Sequence, residues 1–510
     1  LESKNLPGFF AVRPNKNNKI YLYEGKTKWT QWRSDINYGI IYGGYKFNKS
    51  DLEMVISRFN EDISWSEPFK DIRTVYNKGE DNLGFKCINI ENIGRESHTY
   101  LYHIISNYEN LSKKTIFIKA QHQNKYLNIQ WLKFSHSLKN INQFINFSLN
   151  DEERYIYFPF LDVCDDDNIS YGPDKDGQWK KGFHPHKLGQ ISYIRNTLDI
   201  DDNGELIHFG KWSDNDRAAK YGPFEDYFKK YIDNNYDNFK DYFLWSPHGI
   251  VTVEKEMIRN RSIDSYKSII ETLSYGEDVQ EGHYIERAWY YIFQKYYKFS
   301  YGQSCKNRLS FLKQTLNHNL TEIKKYPKAI LTLLNYNSQD DLNNYIYNNF
   351  KDESKLLYIV DNESTIFHMS KSKNITGLEC PDDIDIVSWC DCDNFMHRYT
   401  IYNNNAIFNT IKNTAVFPEF GKDNNWDAGN RIAVYKKSLS NNDIRYNESF
   451  LGWGYDDIDF KNKCIIKFNC KYQHNKILTE KKSLEHNDNL RLNSYDCYNK
   501  EKIEAFIMKN

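Results

Sequence analysis

The sequence predicts an α/β protein with two domains built on mixed sheets and a small β-rich extension at the N-terminus. Strand and helix patterns alternate in two separate stretches, which is typical of sheets whose strands are joined by helices. The chain has 510 residues, whereas a single core seldom exceeds roughly 250–300 residues. We therefore predict an extension over residues 1–50, a first domain over residues 51–320 and a second domain over residues 321–510.

Local apolar patterns predict the extension and the first domain. Short apolar pieces separated by Asn, Gly and Lys turns indicate a small hairpin element within residues 1–50. The helix of the first domain places Leu101, Ile104 and Ile105 on one face. Strands on both sides of this helix give the segment the βαβ rhythm of a parallel sheet. These strands are predicted at residues 54–57, 71–75 and 115–119.

A second set of apolar segments predicts the second domain. It consists of strands at residues 328–334, 355–360 and 384–389, with a helix at 340–350. The segment before it, residues 290–325, is predicted to be helical. Little more than one strand fits between Asp361 and Asp391, so the sheet is expected to be curtailed there.

The charge balance limits the expected partners. Lys and Arg number 68 against 69 Asp and Glu, a formal net charge of −1, so no nucleic-acid partner is expected. No apolar run approaches the roughly 18–20 residues of a membrane span. We therefore expect a soluble protein of the cytoplasm or of a lumen. The start at Leu1 leaves open an N-terminal anchor that has been removed, and assembly into a homo-oligomer also stays open.

Residues 450–457 combine a tryptophan between two glycines with a pair of acids. The glycines allow a sharp bend and a close approach to a ligand, and Trp453 offers a flat face to a sugar ring. Asp456 and Asp457 follow where a helix would begin, at the helix end that favours negative charge. A stacking face beside hydroxyl acceptors and a general base is what a sugar site needs. The alternative is a tryptophan-capped turn that leads into a surface helix.

A second acidic pattern, Asp391-Cys392-Asp393, follows an apolar strand. Carboxylate oxygens are hard ligands that suit Mn²⁺ or Mg²⁺. Such a cation neutralises the charge that develops on a leaving phosphate. The nearby Cys380 and Cys390 lack the paired spacing that is typical of a zinc site.

Residues 447–457, N-E-S-F-L-G-W-G-Y-D-D, resemble a pattern of GT-A glycosyltransferases. The pattern, N-E-x-F-x-G-W-G-x-[DE]-D, is that of the galactosyltransferase and polypeptide N-acetylgalactosaminyltransferase groups. The resemblance implies a nucleotide-sugar donor, expected to be a UDP-sugar, and a hydroxyl acceptor on a glycan or glycoprotein. It also implies inversion at the anomeric carbon and a Mn²⁺ or Mg²⁺ cofactor.

The same resemblance implies roles for individual residues. Asp457 is the expected general base, and Asp456 is expected to bind the acceptor. Asp391 and Asp393 are expected to hold the metal, with His474 as the third ligand. The strand ends at Asn335 and Asp361 resemble those of the first and second strands of the GT-A sheet. The expected donor-binding residues are Asn335, Asp361, Trp453 and Gly454, and Trp453 is also the expected sugar platform.

The first domain carries a second candidate site, because ligands of α/β sheets bind beyond the carboxyl ends of strands. The runs R-F-N-E-D (58–62), Y-N-K-G (76–79), N-I-G-R-E-S-H-T-Y-L-Y-H-I (92–104) and E-R-A-W (286–289) resemble the signature of an uncharacterised, GT-A-like domain family. No activity follows from that resemblance. A structural ion pair is the alternative for Arg95 and Glu96. The candidate residues are Arg58, Asn60, Glu61, Asp62, Arg95 and Glu96.

The predicted function is therefore metal-dependent sugar transfer in the second domain. The first domain is expected to be either a second transferase or an acceptor-binding relative. The alternative is a non-catalytic glycan-binding or scaffold protein built from degenerate transferase domains. The expected curtailment of the second sheet favours this alternative.

Overall fold

A computed structural model gives the architecture of the chain. By its internal contacts the chain divides into two compact units, Leu1–Phe47 and Asn48–Asn510. The structure describes residues 12–14, 20–24, 28–32, 48–80, 84–120, 155–157, 192–194, 219–239, 243–245, 249–396, 398–419, 432–441, 444–450, 456–468 and 474–476.

The N-terminal unit contains a three-stranded antiparallel sheet. Its strands are β1 (Val12–Pro14), β2 (Ile20–Glu24) and β3 (Lys28–Trp32), in the order β1-β2-β3. β2 and β3 pair along their whole length, from Ile20 opposite Trp32 to Glu24 opposite Lys28. The prediction of a small β-rich extension is confirmed.

The larger unit contains the remaining strands, which belong to two large sheets and one two-stranded sheet. They are β4 (Leu52–Arg58), β5 (Arg73–Asn77), β6 (Ile88–Asn89), β7 (Lys114–Lys119), β8 (Ile156–Tyr157), β9 (Ser192–Ile194), β10 (Phe243–Trp245), β11 (Val251–Glu254), β12 (Phe299–Cys305), β13 (Ala329–Tyr336), β14 (Leu356–Asp361), β15 (Ile386–Trp389), β16 (Ala415–Glu419), β17 (Ala433–Tyr435) and β18 (His474–Lys476).

The first large sheet has the strand order β6-β5-β4-β7-β11-β8. The strands β6, β5, β4 and β7 are parallel, whereas β11 is antiparallel to both β7 and β8. All 7 residues of β4 are buried, as expected for a central strand covered on both faces. The order in which the chain adds strands reverses between β4 and β7, so a crevice is expected beyond their carboxyl ends.

The second large sheet repeats this arrangement in the order β14-β13-β12-β15-β17-β16-β18. Its first four strands are parallel. The strand β17 is antiparallel to β15 and β16, and β18 is parallel to β16. Its crevice is therefore expected beyond the carboxyl ends of β12 and β15. The predicted α/β class with two mixed sheets is confirmed.

The helices cover the sheets and connect their strands. Among the described residues, no helix is both long and apolar enough to span a bilayer. A 3₁₀ helix spans Ser64–Phe69 and a π-helical turn spans Phe228–Ile232. The α-helices are α1 (Arg95–Asn107), α2 (Phe224–Tyr227), α3 (Tyr236–Phe239), α4 (Lys255–Arg259), α5 (Ile263–Glu271), α6 (Gln280–Phe293), α7 (Leu309–Lys324), α8 (Leu342–Phe350), α9 (Met369–Leu378), α10 (Arg398–Thr410), α11 (Lys436–Ser440) and α12 (Asp456–Phe468).

The strand β12 corrects the prediction that residues 290–325 are helical. It lies between α6 and α7 and pairs in parallel with both β13 and β15. The segments predicted as the first and second strands of this sheet are therefore its second and third. With β12, the parallel part of the sheet has four strands, of which only β15 lies between Asp361 and Asp391, and the predicted curtailment at that point stays a prediction. The sequence pattern does not reveal this strand, because it contains the polar residues Ser300 and Gln303. Both are buried in the folded sheet, where strands pair on both sides of β12.

One continuous hydrophobic core serves both large sheets. It includes Val55 and Phe117 from the first sheet and Tyr301 and Leu331 from the second. Residue 320 lies inside α7, whose apolar face belongs to this core. The division of the larger unit into two domains at that residue stays a prediction.

Replacing Gly302 in β12 with Ala should destabilise the protein. A Cβ atom there would lie 2.5 Å from Thr376 Oγ1 and 2.8 Å from Trp389 Cδ1. Because overpacking costs about 1–3 kcal/mol, the free energy of unfolding in urea should fall by that amount. Gly282→Ala in α6 is the control, because its Cβ atom would meet only the carbonyl oxygen of Gly94 at 3.9 Å. Equal losses in both variants would contradict the packing argument.

Candidate functional site

A buried lysine lies among the acidic residues of the second sheet. Lys373 in α9 is 4% exposed, and its Nζ lies 2.5 Å from Asp457 Oδ1 and 3.6 Å from Asp456 Oδ2. The same ammonium lies 4.8 Å from the ring centroid of Tyr446. Asp456 is fully buried, whereas the side chain of Asp457 is 25% exposed. The structure therefore brings both acids of the predicted pair to one cation at the start of α12.

Three aromatic rings fix the surroundings of this lysine. Tyr446 stacks on Phe460 with centroids 4.1 Å apart, and Trp389 contacts both rings edge-on. Trp389 Nε1 also donates a hydrogen bond to the carbonyl oxygen of Lys373 at 2.9 Å. The rings come from β15, from the segment before α12 and from α12 itself, so they join α9 and α12 to the end of the sheet.

The helix α9 also holds the segment that precedes the two acids. Asn374 Nδ2 donates to the carbonyl oxygen of Tyr446 at 3.0 Å and to Glu448 Oε1 at 2.9 Å. Asn374 Oδ1 accepts from the backbone N–H of Tyr446 at 3.0 Å. His368 Nε2 lies 2.8 Å from the carbonyl oxygen of Glu448. The side chain of Asn374 thus pairs with the backbone as a neighbouring strand would.

Burial and neighbouring charges set the protonation of this cluster. Burial alone would lower the pKa of Lys373, but Asp457, Tyr446, Asp456 and Asp391 raise it well above its usual value. Burial raises the pKa of Asp457 to about 6, against the opposing effect of Lys373. Burial likewise raises the pKa of Asp456. Asp391 contributes to all three shifts, so it belongs to the same electrostatic cluster.

The D-x-D residues follow β15 at the expected crevice. Asp391 is half-buried and Asp393 is buried. Asp393 Oδ1 accepts from Asn394 Nδ2 at 2.9 Å, and its Oδ2 lies 3.4 Å from Arg308 Nη1. Gln303 Nε2 of β12 donates to the carbonyl oxygen of Asp391 at 3.1 Å. Side chains from β12 and from the residues after it therefore contact the D-x-D segment across the crevice.

The chemistry of Asp391 and Asp393 fits a divalent cation that arrives with a diphosphate. Proteins hold Mg²⁺ and similar cations with one or two carboxylates together with substrate phosphates. Within the part of the chain that the structure describes, no group of three or more His, Cys, Asp or Glu side chains could hold a metal ion. That Asp391 and Asp393 hold a cation stays a prediction.

Two predicted donor-binding residues, Asn335 and Asp361, form turns at the ends of β13 and β14. Asn335 is buried, its Oδ1 accepts from the backbone N–H of Ser338 and its Nδ2 donates to Asn343. Asp361 accepts from both the backbone N–H and the hydroxyl of Ser364. These contacts place both residues at the carboxyl edge of the sheet. Their roles toward a donor stay predictions.

The remaining predicted residues of this site are not settled by the structure. Trp453 and Gly454 lie outside the described residues. For His474 only the backbone is described, in β18 opposite Phe417. The strands β17 and β16 separate β18 from β15. The backbones of β18 and β15 are therefore about 14 Å apart at the usual strand spacing. The roles of these three residues stay predictions.

The candidate residues of the first sheet also lie at its carboxyl edge. Arg58 Nη1 donates to Asn77 Oδ1 at 2.6 Å. The next residue, Lys78, donates to the carbonyl oxygens of Ile93 and Arg95 at 2.5 Å each. Burial lowers the pKa of Lys78 to about 8. These contacts connect Arg58 to Arg95 through the end of β5, and the predicted cleft between them stays a prediction.

Glu96 forms a buried ion cluster at the start of α1. Its carboxylate lies 3.4 Å from Lys119 Nζ and 3.7 Å from Arg95 Nε. Burial and Glu286 would raise the pKa of Glu96, but Lys119 and Arg95 hold it below its usual value. The contact between Arg95 and Glu96 matches the structural ion pair that is the alternative interpretation of these two residues.

Asn60, Glu61 and Asp62 hold the turn after β4. Asn60 Oδ1 accepts from the backbone N–H of Glu80 at 2.8 Å, and Glu61 Oε2 accepts from that of Phe59 at 2.5 Å. Asp62 accepts from the backbone and the hydroxyl of Ser64 at 2.8 Å. The contacts of Glu61 and Asp62 are local, whereas that of Asn60 reaches the segment after β5. Any further role of the three residues stays a prediction.

The sequence analysis does not identify three residues of this site, Lys373, Asn374 and Arg308. Each of them contacts one of the predicted acids or the segment that precedes Asp456 and Asp457. The helix α9 gives one signal that could identify the first two. Its buried residues are polar, from Ser370 through Thr376. A buried helix without an apolar stripe indicates polar partners, because unpaired buried polar groups are costly.

The comparison with protein families matches residues 54–152 to a family described as "Protein of unknown function (DUF3431)". No curated protein matches the chain. The matched residues cover part of the first large sheet, so this match concerns the first sheet alone.

Solved structures similar to this chain include three glycosyltransferases. S. aureus TarS 1–349 is 15% identical, with 36% of this chain and 58% of TarS covered and a TM-score of 0.28. Drosophila β1,4-galactosyltransferase 7, solved with manganese, UDP-Gal and xylobiose, is 14% identical, with 41% and 79% covered and a TM-score of 0.29. GalNAc-T7 with UDP, GalNAc and Mn²⁺ is 13% identical, with 35% and 41% covered and a TM-score of 0.29.

The chain thus spans less than two thirds of the TarS fragment that it resembles. Identities of 13–15% and TM-scores of 0.28–0.29 carry no argument about activity.

Proposed function

We propose that the chain is a metal-dependent glycosyltransferase. It would transfer a sugar from a nucleotide-sugar donor, a UDP-sugar in our proposal, to a hydroxyl of a glycan or glycoprotein. The site is the carboxyl edge of the second sheet, and the transfer inverts the anomeric carbon. Residues of the first sheet would take part in acceptor binding.

One observation carries this proposal. Asp391 after β15 and Asp456 and Asp457 at the start of α12 belong to one buried electrostatic cluster around Lys373. The crevice beyond β12 and β15 is where an α/β sheet of this strand order binds its ligand. A carboxylate with a raised pKa in such a crevice is a candidate general base.

In the proposed reaction, Asp457 takes the proton of the acceptor hydroxyl while the oxygen of that hydroxyl attacks the anomeric carbon. The new C–O bond forms on one face of the sugar as the bond to the diphosphate oxygen breaks on the other, so the configuration inverts. Asp456 would bind the acceptor, and Trp453 would stack on a sugar ring. Asp391 and Asp393, with His474 as a further candidate, would hold the cation, which supplies charge neutralisation to the leaving diphosphate.

The pKa of Asp457 predicts an acid limit of activity near pH 6. Below pH 6 this base is increasingly protonated, so kcat/KM should fall about tenfold per pH unit. An ordinary aspartate would place the limit near its usual pKa of 3.8. The measurement is kcat/KM for transfer from pH 4.5 to 9, with folding monitored by circular dichroism. Full activity at pH 4.5 would contradict the assignment of Asp457 as the base.

The alternative is a non-catalytic glycan-binding protein. The pairing of Asp393 with Arg308 favours it, because a neutralised carboxylate is a weaker cation ligand. Asn335 and Asp361 are also engaged in internal turns.

Incubation with a panel of nucleotide sugars and Mn²⁺ distinguishes the two functions. A transferase should release nucleoside diphosphate, slowly to water and faster with the correct acceptor sugar, and NMR of the product should show the inverted anomer. Glycan binding without nucleotide release from any donor would support the alternative.

A further inference from the structure

We propose that Lys373 is a positioning residue for the general base Asp457: its ammonium binds one carboxylate oxygen and leaves the other for the acceptor hydroxyl. This inference deepens the proposed function and rests on it. The residue types alone do not suggest it, because Lys373 belongs to a helix 84 residues before Asp457.

The geometry gives Lys373 a fixed place. Its backbone carbonyl accepts from Trp389 Nε1, and its side chain is 5% exposed. From there Nζ reaches Asp457 Oδ1 at 2.5 Å. A charge-assisted hydrogen bond is among the stronger polar contacts in proteins. The lysine therefore restricts the carboxylate of Asp457 to one orientation.

The partial exposure of Asp457 indicates which part of it meets a substrate. Its side chain is 25% exposed, whereas Asp456 is 1% exposed. The oxygen Oδ1 is occupied by Lys373, whereas Oδ2 has no hydrogen-bond partner among the residues that the structure describes. A hydroxyl that approaches from solvent can therefore donate a hydrogen bond to Oδ2 without displacing the lysine.

The charges around Asp457 make a cation necessary at this place. Asp456 precedes it on α12, and the charge of Asp391 after β15 also acts on it. Three neighbouring carboxylates without a counterion would not all stay ionised, because like charges in a buried site favour protonation of one of them. Lys373 opposes this protonation, and the face of Tyr446 stabilises the charged form of Lys373.

Another lysine of α9 shows that the contact is specific to position 373. Lys371 Nζ donates to Ser364 Oγ at 3.0 Å, at the turn after β14. The two lysines are two residues apart and therefore lie on different faces of the helix. Lys373 on the buried face of α9 therefore contacts α12. Lys371 on another face contacts the turn after β14, beside the predicted donor-binding residue Asp361.

The test is a double-mutant cycle with two readouts. Lys373→Met removes the ammonium at similar length, Asp457→Asn removes the carboxylate charge, and the double variant removes both. If the pair is formed, the loss of melting temperature in the double variant should be smaller than the sum of the single losses. Turnover of Lys373→Met should fall about 10²-fold, as for a misplaced catalytic group, while the KM for the donor stays unchanged.

Lys436→Met is the matched control. Lys436 is also a buried lysine of this sheet, but its Nζ donates to the carbonyl oxygens of Cys380 and Pro381 before β15. It should lower the melting temperature without changing turnover per folded molecule. Lys373→Gln, which keeps a donor without charge, replaces Lys373→Met if that variant does not fold.

Each outcome decides the proposal. Additive losses of melting temperature, or turnover of Lys373→Met equal to that of the parent, would overturn it. A coupled cycle together with lowered turnover and unchanged donor KM would support it. If the parent protein transfers no sugar from any donor, the proposed function and the positioning role both fail. The cycle reveals that case, because the coupling in melting temperature then persists without any activity.

Discussion

Replacing Asp457 with Asn should lower the turnover of sugar transfer by about 10²–10⁴-fold, the usual contribution of a general base. The amide keeps the size of the side chain and a hydrogen bond, but it cannot accept the proton of the acceptor hydroxyl. The KM for the donor should change little, because the proposed diphosphate contacts are at Asp391 and Asp393. Turnover at saturating donor and acceptor, measured together with the melting temperature, checks this.

Asp459→Asn is the matched control for this substitution. Asp459 belongs to the same first turn of α12, but its carboxylate pairs with Lys463 at 2.7 Å, away from Lys373. It should leave turnover per folded molecule unchanged. If Asp457→Asn also kept normal turnover and lost about 0.5–2 kcal/mol of stability, Asp457 would only stabilise the start of the helix.

Replacing both Asp391 and Asp393 with Ala should abolish Mn²⁺-dependent transfer. In the proposed reaction a cation at these acids would contribute several kcal/mol of transition-state stabilisation, so the expected loss is about 10³-fold or more. The measurement is the initial rate of nucleotide release across a Mn²⁺ titration. The variant also leaves Arg308 without its acidic partner, so the melting temperature must be recorded with the rate.

The exposed acids at the opposite end of β15 offer a control for the double substitution. Asp382 contacts Lys436 and Asp383 contacts Lys298, both far along the strand from the crevice. Asp382→Ala with Asp383→Ala should leave the Mn²⁺ dependence intact. Unchanged transfer in the Asp391 and Asp393 variant, or full activity of the parent in excess chelator, would rule out the metal assignment.

The sequence patterns predict the α/β class and the strands β4, β5, β7, β13, β14 and β15, because each of these strands contains a run of apolar residues. They fail at β12, where polar residues are satisfied only by the folded neighbours. Ser300 Oγ pairs with Thr332 Oγ1 at 2.7 Å, and Gln303 donates to the backbone of Asp391. Neither partner can be identified from local sequence, since each lies in another strand or beyond it.

The candidate site is predictable to a similar extent. The acids at 391, 393, 456 and 457 stand out because each pair is adjacent or nearly so in sequence. Lys373 does not, because a lysine in a helix is usually exposed, and only the fold brings it to Asp457. Arg95 and Glu96 are also adjacent in sequence, but their contact with Lys119 depends on the fold, and their role in a site stays a prediction.

The continuous core of the larger unit links the opening of the first sheet to that of the second. The backbone of Tyr155 in the first sheet donates to Thr410, and Lys412 pairs with Glu254 of β11 at 2.6 Å. Amides at the centre of β4 can therefore exchange their protons with water only when the common core opens. A ligand that binds the second sheet lowers the population of that open state by mass action. Hydrogen exchange in the first sheet should then slow when a nucleotide sugar occupies the second.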